Sequence, residues 1–261
     1  MKNWKKKVLV STTLMLATFA THVQAKDWSV IRFGTESSYQ PFEYKTPDNK
    51  LTGFDVDLGN AICAHLKAKC VWVENSFDGM IPALKAKKFD GILSSMTVTD
   101  ERSKQIAFSN KIYNTPTRMI AKKGSPLLPT VASLKGKRVG VQQGTMQESY
   151  AKAYWATKGV TVVPYPNQDV LYQDLVSGRL DASLQDAIMV DAGFLKSPKG
   201  KVFGFAGPNV VDAKTLGVGA AIGLRKEDAD LRAAINKGLA AVIADGTYKK
   251  IEKKYFPFSI Y

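Results

Sequence analysis

Two stretches of this chain can be laid over one another without a gap, and that repeat limits the possible folds more than any other feature. LKAKKFDGILSS (84–95) and LVSGRLDASLQD (175–186) share one plan: a helix end, a basic residue, an apolar residue, Asp, a short strand and a polar pair. Asp90 falls on Asp181, and Ser95 on Asp186. A second pair precedes each copy. VIRFGT (30–35) and KRVGVQQGT (137–145) are β-rich runs that end in Gly-Thr, each followed by a helical pattern and another strand. Alternating strand and helix signals imply mostly parallel sheets with helices on their faces. The plan is used twice, so the expected fold is α/β with two lobes.

In open α/β sheets, ligands sit beyond the carboxyl ends of the strands. The runs expected there are polar: Glu36-Ser37-Ser38-Tyr39, Ser94-Ser95, Gly144-Thr145-Met146-Gln147 and Gln185-Asp186. Lobes that face one another would bring these four ends to one cleft. KIYNTPTRMIAKKGSP (111–126) alternates like a strand passing between lobes, and Thr215-Leu216-Gly217-Val218 can pass back. Two crossings make a hinge. The expected boundaries are 26–113 with 219–261 for the first lobe and 114–218 for the second, with hinge segments near 111–117 and 214–219. Residues 217–256 read as a strand and two helices, the first opened by Lys226-Glu227-Asp228 and the second set off by Gly246.

Residues 1–25 read as a secretory signal peptide: Lys2, Lys5, Lys6 and Lys7, then the apolar stretch Val8–Ala20, then Val23-Gln24-Ala25 before a cut near Lys26. The apolar stretch is shorter than the ~20 residues a bilayer demands. The formal charge of +14 falls to about +10 once those four lysines are set aside. The remaining lysines are scattered, and no zinc-finger, helix-turn-helix or RNA-binding signature accompanies them, which argues against a nucleic-acid partner. Cys63 and Cys70 are an even pair in an exported chain, which favours a disulfide over two buried free thiols. His22 leaves with the signal, so His65 is the last histidine; its setting, mid-helix with lysines on either side, suggests the surface. One His and two Cys make a poor metal shell, and the same scarcity argues against Ser-His-Asp or Cys-His catalysis. No metal and no cofactor is expected.

The polar strand ends carry a consistent chemistry. Thr99-Asp100-Glu101-Arg102 looks like a helix start with Thr99 as N-cap. That places Arg102 near Ser94, Ser95 and Thr97. An arginine fork suits a carboxylate held by two parallel hydrogen bonds. Thr145-Met146-Gln147-Glu148 fits a capping box and leaves main-chain N–H groups that attract anions. Asp186 can take an ammonium group, and Tyr39 and Phe77 can form two aromatic walls. Taken singly, each has a plain alternative: Arg102 in a surface ion pair, Phe77 in the core, Asp186 as a helix cap. Together they describe the recognition of a free amino acid.

At these residues the chain resembles the amino-acid-binding periplasmic proteins of ABC importers, and within them the lysine/arginine/ornithine- and histidine-binding branch. GTESSYQPFEY, LTGFDVDLGNAIC, FDGMIPALKAKKFDGILSSMTVTDER, LKGKRVGVQQGT, GRLDASLQD, GLRKED and ADGTYKKIEKKYF carry the resemblance over nearly the whole mature chain. It implies a type II, two-lobed periplasmic-binding-protein fold that closes on its ligand. It implies that Arg102 clamps the α-carboxylate, helped by N–H groups around Thr97 and Met146-Gln147. It implies that Asp186 takes the α-ammonium with Ser94 and Thr97, and that Tyr39 and Phe77 sandwich the ligand side chain. Glu36 stands where an acid meets a cationic side-chain end, Ser95 lies in the same shell, and Cys63–Cys70 matches a disulfide of the branch. Glu36, Gln142 and Met146 depart from residues common among close relatives. The implied function is capture of a cationic L-amino acid, arginine first and lysine, ornithine or histidine behind, by a periplasmic monomer that delivers it to an ABC permease. A cyclohexadienyl-type dehydratase on the same fold and an amino-acid sensor or adhesin are the alternatives.

Overall fold

The computed structural model describes residues 26–261; the signal-peptide expectation for 1–25 lies outside them. Two five-stranded sheets share one plan. In the first, strands Lys69–Glu74, Val30–Thr35, Gly91–Ile92, Ala220–Leu224 and Ala107–Tyr113 lie side by side in that order. In the second the order is Thr161–Tyr165, Arg138–Gln142, Ala182–Asp186, Thr117–Lys122 and Phe203–Phe205. A small antiparallel sheet, Ser38–Tyr39 with Glu43–Lys45 and Leu51–Thr52, lies outside both.

Both large sheets are mostly parallel, as expected: in each, four of the five strands run one way and a single strand is reversed. In each large sheet the first three strands pair in parallel and the remaining two pairings are antiparallel. The crossings supply the physical reason. Thr117–Lys122 and Ala220–Leu224 are the first strands formed after the chain changes sheets. They enter from the end where the parallel strands finish, so they must run the other way. The alternating run 111–126 is two strands rather than one. Asn114-Thr115-Pro116 separates Ala107–Tyr113, in the first sheet, from Thr117–Lys122, in the second.

The internal repeat has a structural basis. Asp90 Oδ2 accepts the backbone N–H of Arg32 at 3.1 Å, and Asp181 Oδ2 accepts that of Arg138 at 2.8 Å. Each aspartate thus pins the start of its own strand, the central one of its sheet, to the parallel neighbour beside it. Lys87 and Gly178 occupy the same place in the two copies, and both adopt left-handed backbone (φ 60° and 77°) just past a helix end. There a positive φ lets the chain turn from helix into strand. Glycine reaches it freely, and Lys87 does so at some strain.

Apolar burial holds each layer together. Ile31, Phe33, Leu58, Ile62, Ile222, Ile235 and Leu239 are fully or almost fully buried where the helices Phe54–His65 and Ala229–Ala244 cover the first sheet. Met119, Val139, Val141, Trp155 and Leu184 form the core of the second. Arg225 is buried with Asp228 (2.5 Å) and Asp90 (3.2 Å), an ion cluster beneath the first sheet. Asp228 is therefore turned to Arg225 and makes no side-chain cap bond to the helix, which starts at Ala229. Cys63 and Cys70 form a disulfide, and the free-thiol alternative falls away. His65 is the last residue of its helix rather than a middle one, and pairs at the surface with Asp245 at 2.8 Å. No helix among the described residues is long and apolar enough to cross a membrane.

Candidate functional site

The parallel strands of both sheets end at one cleft. Glu36 is the residue after Val30–Thr35, and Ser94 and Ser95 follow Gly91–Ile92. Gln142 and Asp186 are the last residues of Arg138–Gln142 and Ala182–Asp186. Arg102 lies in the helix Asp100–Gln105, whose N-cap Thr99 accepts the Arg102 N–H. Met146 and Gln147 open the helix Met146–Tyr154 behind N-cap Thr145. Its capping box is altered: Thr145 Oγ1 accepts from Glu148 N, but the Glu148 carboxylate turns to the Gly144 N–H at 2.7 Å.

Ten of the eleven residues singled out from the sequence line a single small cavity of about 20 Å³: Tyr39, Phe77, Ser94, Ser95, Thr97, Arg102, Gln142, Met146, Gln147 and Asp186. Thr145 also lines it; the sequence reading used it as a cap alone. Glu36, the eleventh, faces an outer cleft of about 710 Å³ instead, with Ser38, Asp169 and Tyr172. Gln142 links the two spaces, because its Nε2 donates to Glu36 Oε1 at 2.9 Å and to Oε2 at 2.7 Å.

Arg102 is not in a surface ion pair. It is buried over the Phe77 ring, with its guanidinium carbon 5.4 Å from the centroid. Its Nη1 donates to Thr97 O at 2.7 Å and its Nη2 to Gly144 O at 3.0 Å. Burial lowers its pKa to about 10, and no acidic side chain among the described residues offsets that loss of solvation. A cation held by neutral carbonyls is an anion site by electrostatics. Asp186 does cap a helix, the short Ala187–Val190, accepting from Ile188 N and Met189 N at 2.9 Å each, and it also accepts from Thr115 Oγ1. Burial still raises its carboxyl to about 6. Glu36 is raised to about 7 by burial, against the hydrogen bonds from Gln142 and Ser38.

The sequence reading missed the layer behind the serines. Ser94 Oγ accepts the Glu36 N–H at 2.9 Å and donates to Glu43 Oε1 at 3.0 Å. Ser95 Oγ reaches Glu43 Oε2 at 3.3 Å and lies 2.9 Å from the Tyr113 hydroxyl, which donates to Asp55 Oδ1 at 2.9 Å. Ser95 has a left-handed backbone (φ 49°), and Asp55 Oδ2 holds its N–H at 2.8 Å. Glu43 and Asp55 are buried, and burial drives both carboxyls up: Glu43 further by the charge of Asp55, and Asp55 to about 7 against hydrogen bonds with Ser95, Tyr113 and Glu43. The available signal was an acid set inside apolar runs, Phe42-Glu43-Tyr44 and Phe54-Asp55-Val56.

The arrangement offers a cationic pole, an anionic pole and aromatic rings between two lobes, the requirements for a small zwitterion. Comparison with known proteins agrees. Residues 31–258 match the model of the bacterial extracellular solute-binding proteins, family 3. A lysine/arginine/ornithine-binding periplasmic protein of Escherichia coli is 51% identical over 98% of this chain and 99% of its own length. A histidine-binding periplasmic protein of Salmonella typhimurium is 49% identical over 98% and 99%. A solved ancestral arginine-binding protein bound to arginine superposes with a TM-score of 0.81 at 36% identity, over 87% of this chain and 98% of that one. With the repeated sheets, the shared cleft and matches along almost its full length, the chain belongs to the bacterial extracellular solute-binding proteins, family 3.

Proposed function

We propose that this chain is a periplasmic receptor that captures a cationic L-amino acid, with arginine foremost, and hands it to an ABC permease as a monomer. The observation that carries this is the pairing of opposite poles in one cavity: Arg102, buried without an acidic partner among the described residues, and Asp186 across from it. Arg102 takes the α-carboxylate by a two-pronged contact, with the N–H groups near Thr97 and Met146-Gln147 beside it. Asp186 takes the α-ammonium, with Ser94 and Thr97. Tyr39 and Phe77 flank the side chain, and Glu36, with Ser95 nearby, neutralises its positive end. Arginine's flat, weakly hydrated head suits aromatic walls better than lysine's point charge.

Binding needs no cofactor, and the family is one of solute binders rather than enzymes. Entry requires movement. A cavity of roughly 10–15 Å³ holds one water, so the inner space of about 20 Å³ is too small for an amino acid. The lobes, 26–113 with 219–261 and 114–218, part about the segments near 111–117 and 214–219. Ligand then draws the population toward the closed form. Residues 1–25 direct export. A thermal-shift screen of all amino acids tests the reading: a true ligand at about 100 times its dissociation constant adds about 2.7 kcal/mol of stability. Arginine, lysine, ornithine or histidine should raise the melting temperature most. A screen in which only neutral or acidic amino acids do so overturns the proposal.

A further inference from the structure

Glu36 is reached from the second lobe by a chain of two amides. Gln142 Nε2 lies within hydrogen-bond distance of both Glu36 oxygens, so the nitrogen sits on the edge of the carboxylate that faces both at once. Behind it, Gln142 Oε1 accepts from Gln168 Nε2 at 2.7 Å. Both glutamines are almost fully buried. The donor from Gln168 decides how the Gln142 amide lies, with its oxygen turned back and its nitrogen toward Glu36. Gln168 Oε1 has no partner among the described residues. An orphaned buried oxygen destabilises the fold, and here it accompanies the orientation that puts the other end of this amide to use.

A carboxylate offers roughly four acceptor sites. Ser38 Oγ and Gln142 occupy Oε1, and Gln142 occupies the facing side of Oε2. What remains is the outer side of Oε2. A guanidinium fork approaching end-on needs the edge between the oxygens, where the Gln142 nitrogen stands. A single donor does not.

We propose that Gln168 is a positioning residue for ligand choice: it holds the Gln142 nitrogen on the fork edge of Glu36, so that Glu36 accepts one hydrogen bond from the ligand's cationic end and refuses a two-pronged guanidinium. This rests on the reading of the cleft as a cationic amino-acid site. The class of ligand end it favours is a single N–H donor: an ammonium, a ring N–H or one N–H of a guanidinium. Arginine keeps its contact with the aromatic walls but forgoes the fork, which brings arginine and lysine close together in affinity.

The test is calorimetric titration of arginine and lysine into wild type, Gln142→Leu, Gln168→Met and the double variant. Two independent sites guard against a variant that does not fold. Each single variant should raise the arginine-to-lysine affinity ratio by roughly tenfold, the scale of one charged hydrogen bond. The double variant should add little, because both act on one edge. Retention of the wild-type ratio while both affinities fall together marks a structural role and overturns the inference. A wild-type protein that binds neither ligand defeats the underlying reading instead, which keeps the two failures apart.

Discussion

Arg102 and Gly144 stand on opposite sides of the cleft and are joined by a hydrogen bond, Arg102 Nη2 to Gly144 O, of 3.0 Å. The same guanidinium that faces the cavity therefore also ties the lobes together. Loss of this side chain removes the cationic pole and one of the ties. Arg102→Ala should weaken amino-acid binding by ~3 kcal/mol or more, because a buried charged partner is left unpaired. Its circular dichroism spectrum should stay close to wild type. Calorimetry checks the prediction, and an unchanged affinity would remove Arg102 from the carboxylate role.

Gly144 is also a close-approach position. Its φ is 77°, and a Cβ there would lie 2.7 Å from Asp78 Cα. Gly144→Ala should therefore hold the lobes apart, with a local backbone cost of ~1 kcal/mol. The expected outcome is weaker binding, and a smaller ligand-induced decrease in radius of gyration by solution scattering than in wild type. Full compaction with unchanged affinity would contradict it.

Glu36 is raised to about 7, Asp55 to about 7 and Asp186 to about 6, chiefly by burial. Their folded-state pKa values lie above those of an unfolded chain, so the folded form holds protons more tightly. By linkage, stability of the unliganded protein should rise as pH falls from about 7.5 to about 5. Affinity for a cationic ligand should fall over the same interval, because protonation removes the charge on Glu36 and on Asp186. Melting curves and titrations across this window test the opposed trends; parallel trends would contradict the account.

The Cys63–Cys70 disulfide closes a short loop at the end of the helix Phe54–His65. Replacing both cysteines with serine should cost about 2–3 kcal/mol in the chain-entropy model. Denaturant melts measure it. A thiol assay on denatured, unreduced protein should find no free thiol.

Much of this site was legible in the sequence because it is built from local signals. Thr99 and Thr145 announce helix starts, and those starts fix where Arg102, Met146 and Gln147 stand. The repeat places Asp90 and Asp181, and with them the strand ends that carry Ser94, Ser95 and Asp186. What escaped was set by tertiary contact. Glu43 and Asp55 carry no periodic mark of burial, and only folding brings them to Tyr113 and the serines. That one strand in each otherwise parallel sheet is reversed depends on which end of the sheet the chain enters after a crossing, which no propensity encodes. Gln168 opens a helix 26 residues from Gln142, with no motif joining them.

The central claim is that Glu36 serves a positive ligand end. An uncompensated buried carboxylate is costly beside a neutral side chain, whereas a guanidinium or ammonium pairs with it. Competition binding of arginine, citrulline and glutamine to wild type and to Glu36→Gln measures this directly. Wild type should prefer arginine, and the variant should lose roughly 1–3 kcal/mol for arginine, the range for a charged hydrogen bond, while citrulline and glutamine hold or improve. A wild-type protein that prefers citrulline or glutamine over arginine would contradict the account and return Glu36 to the scaffold.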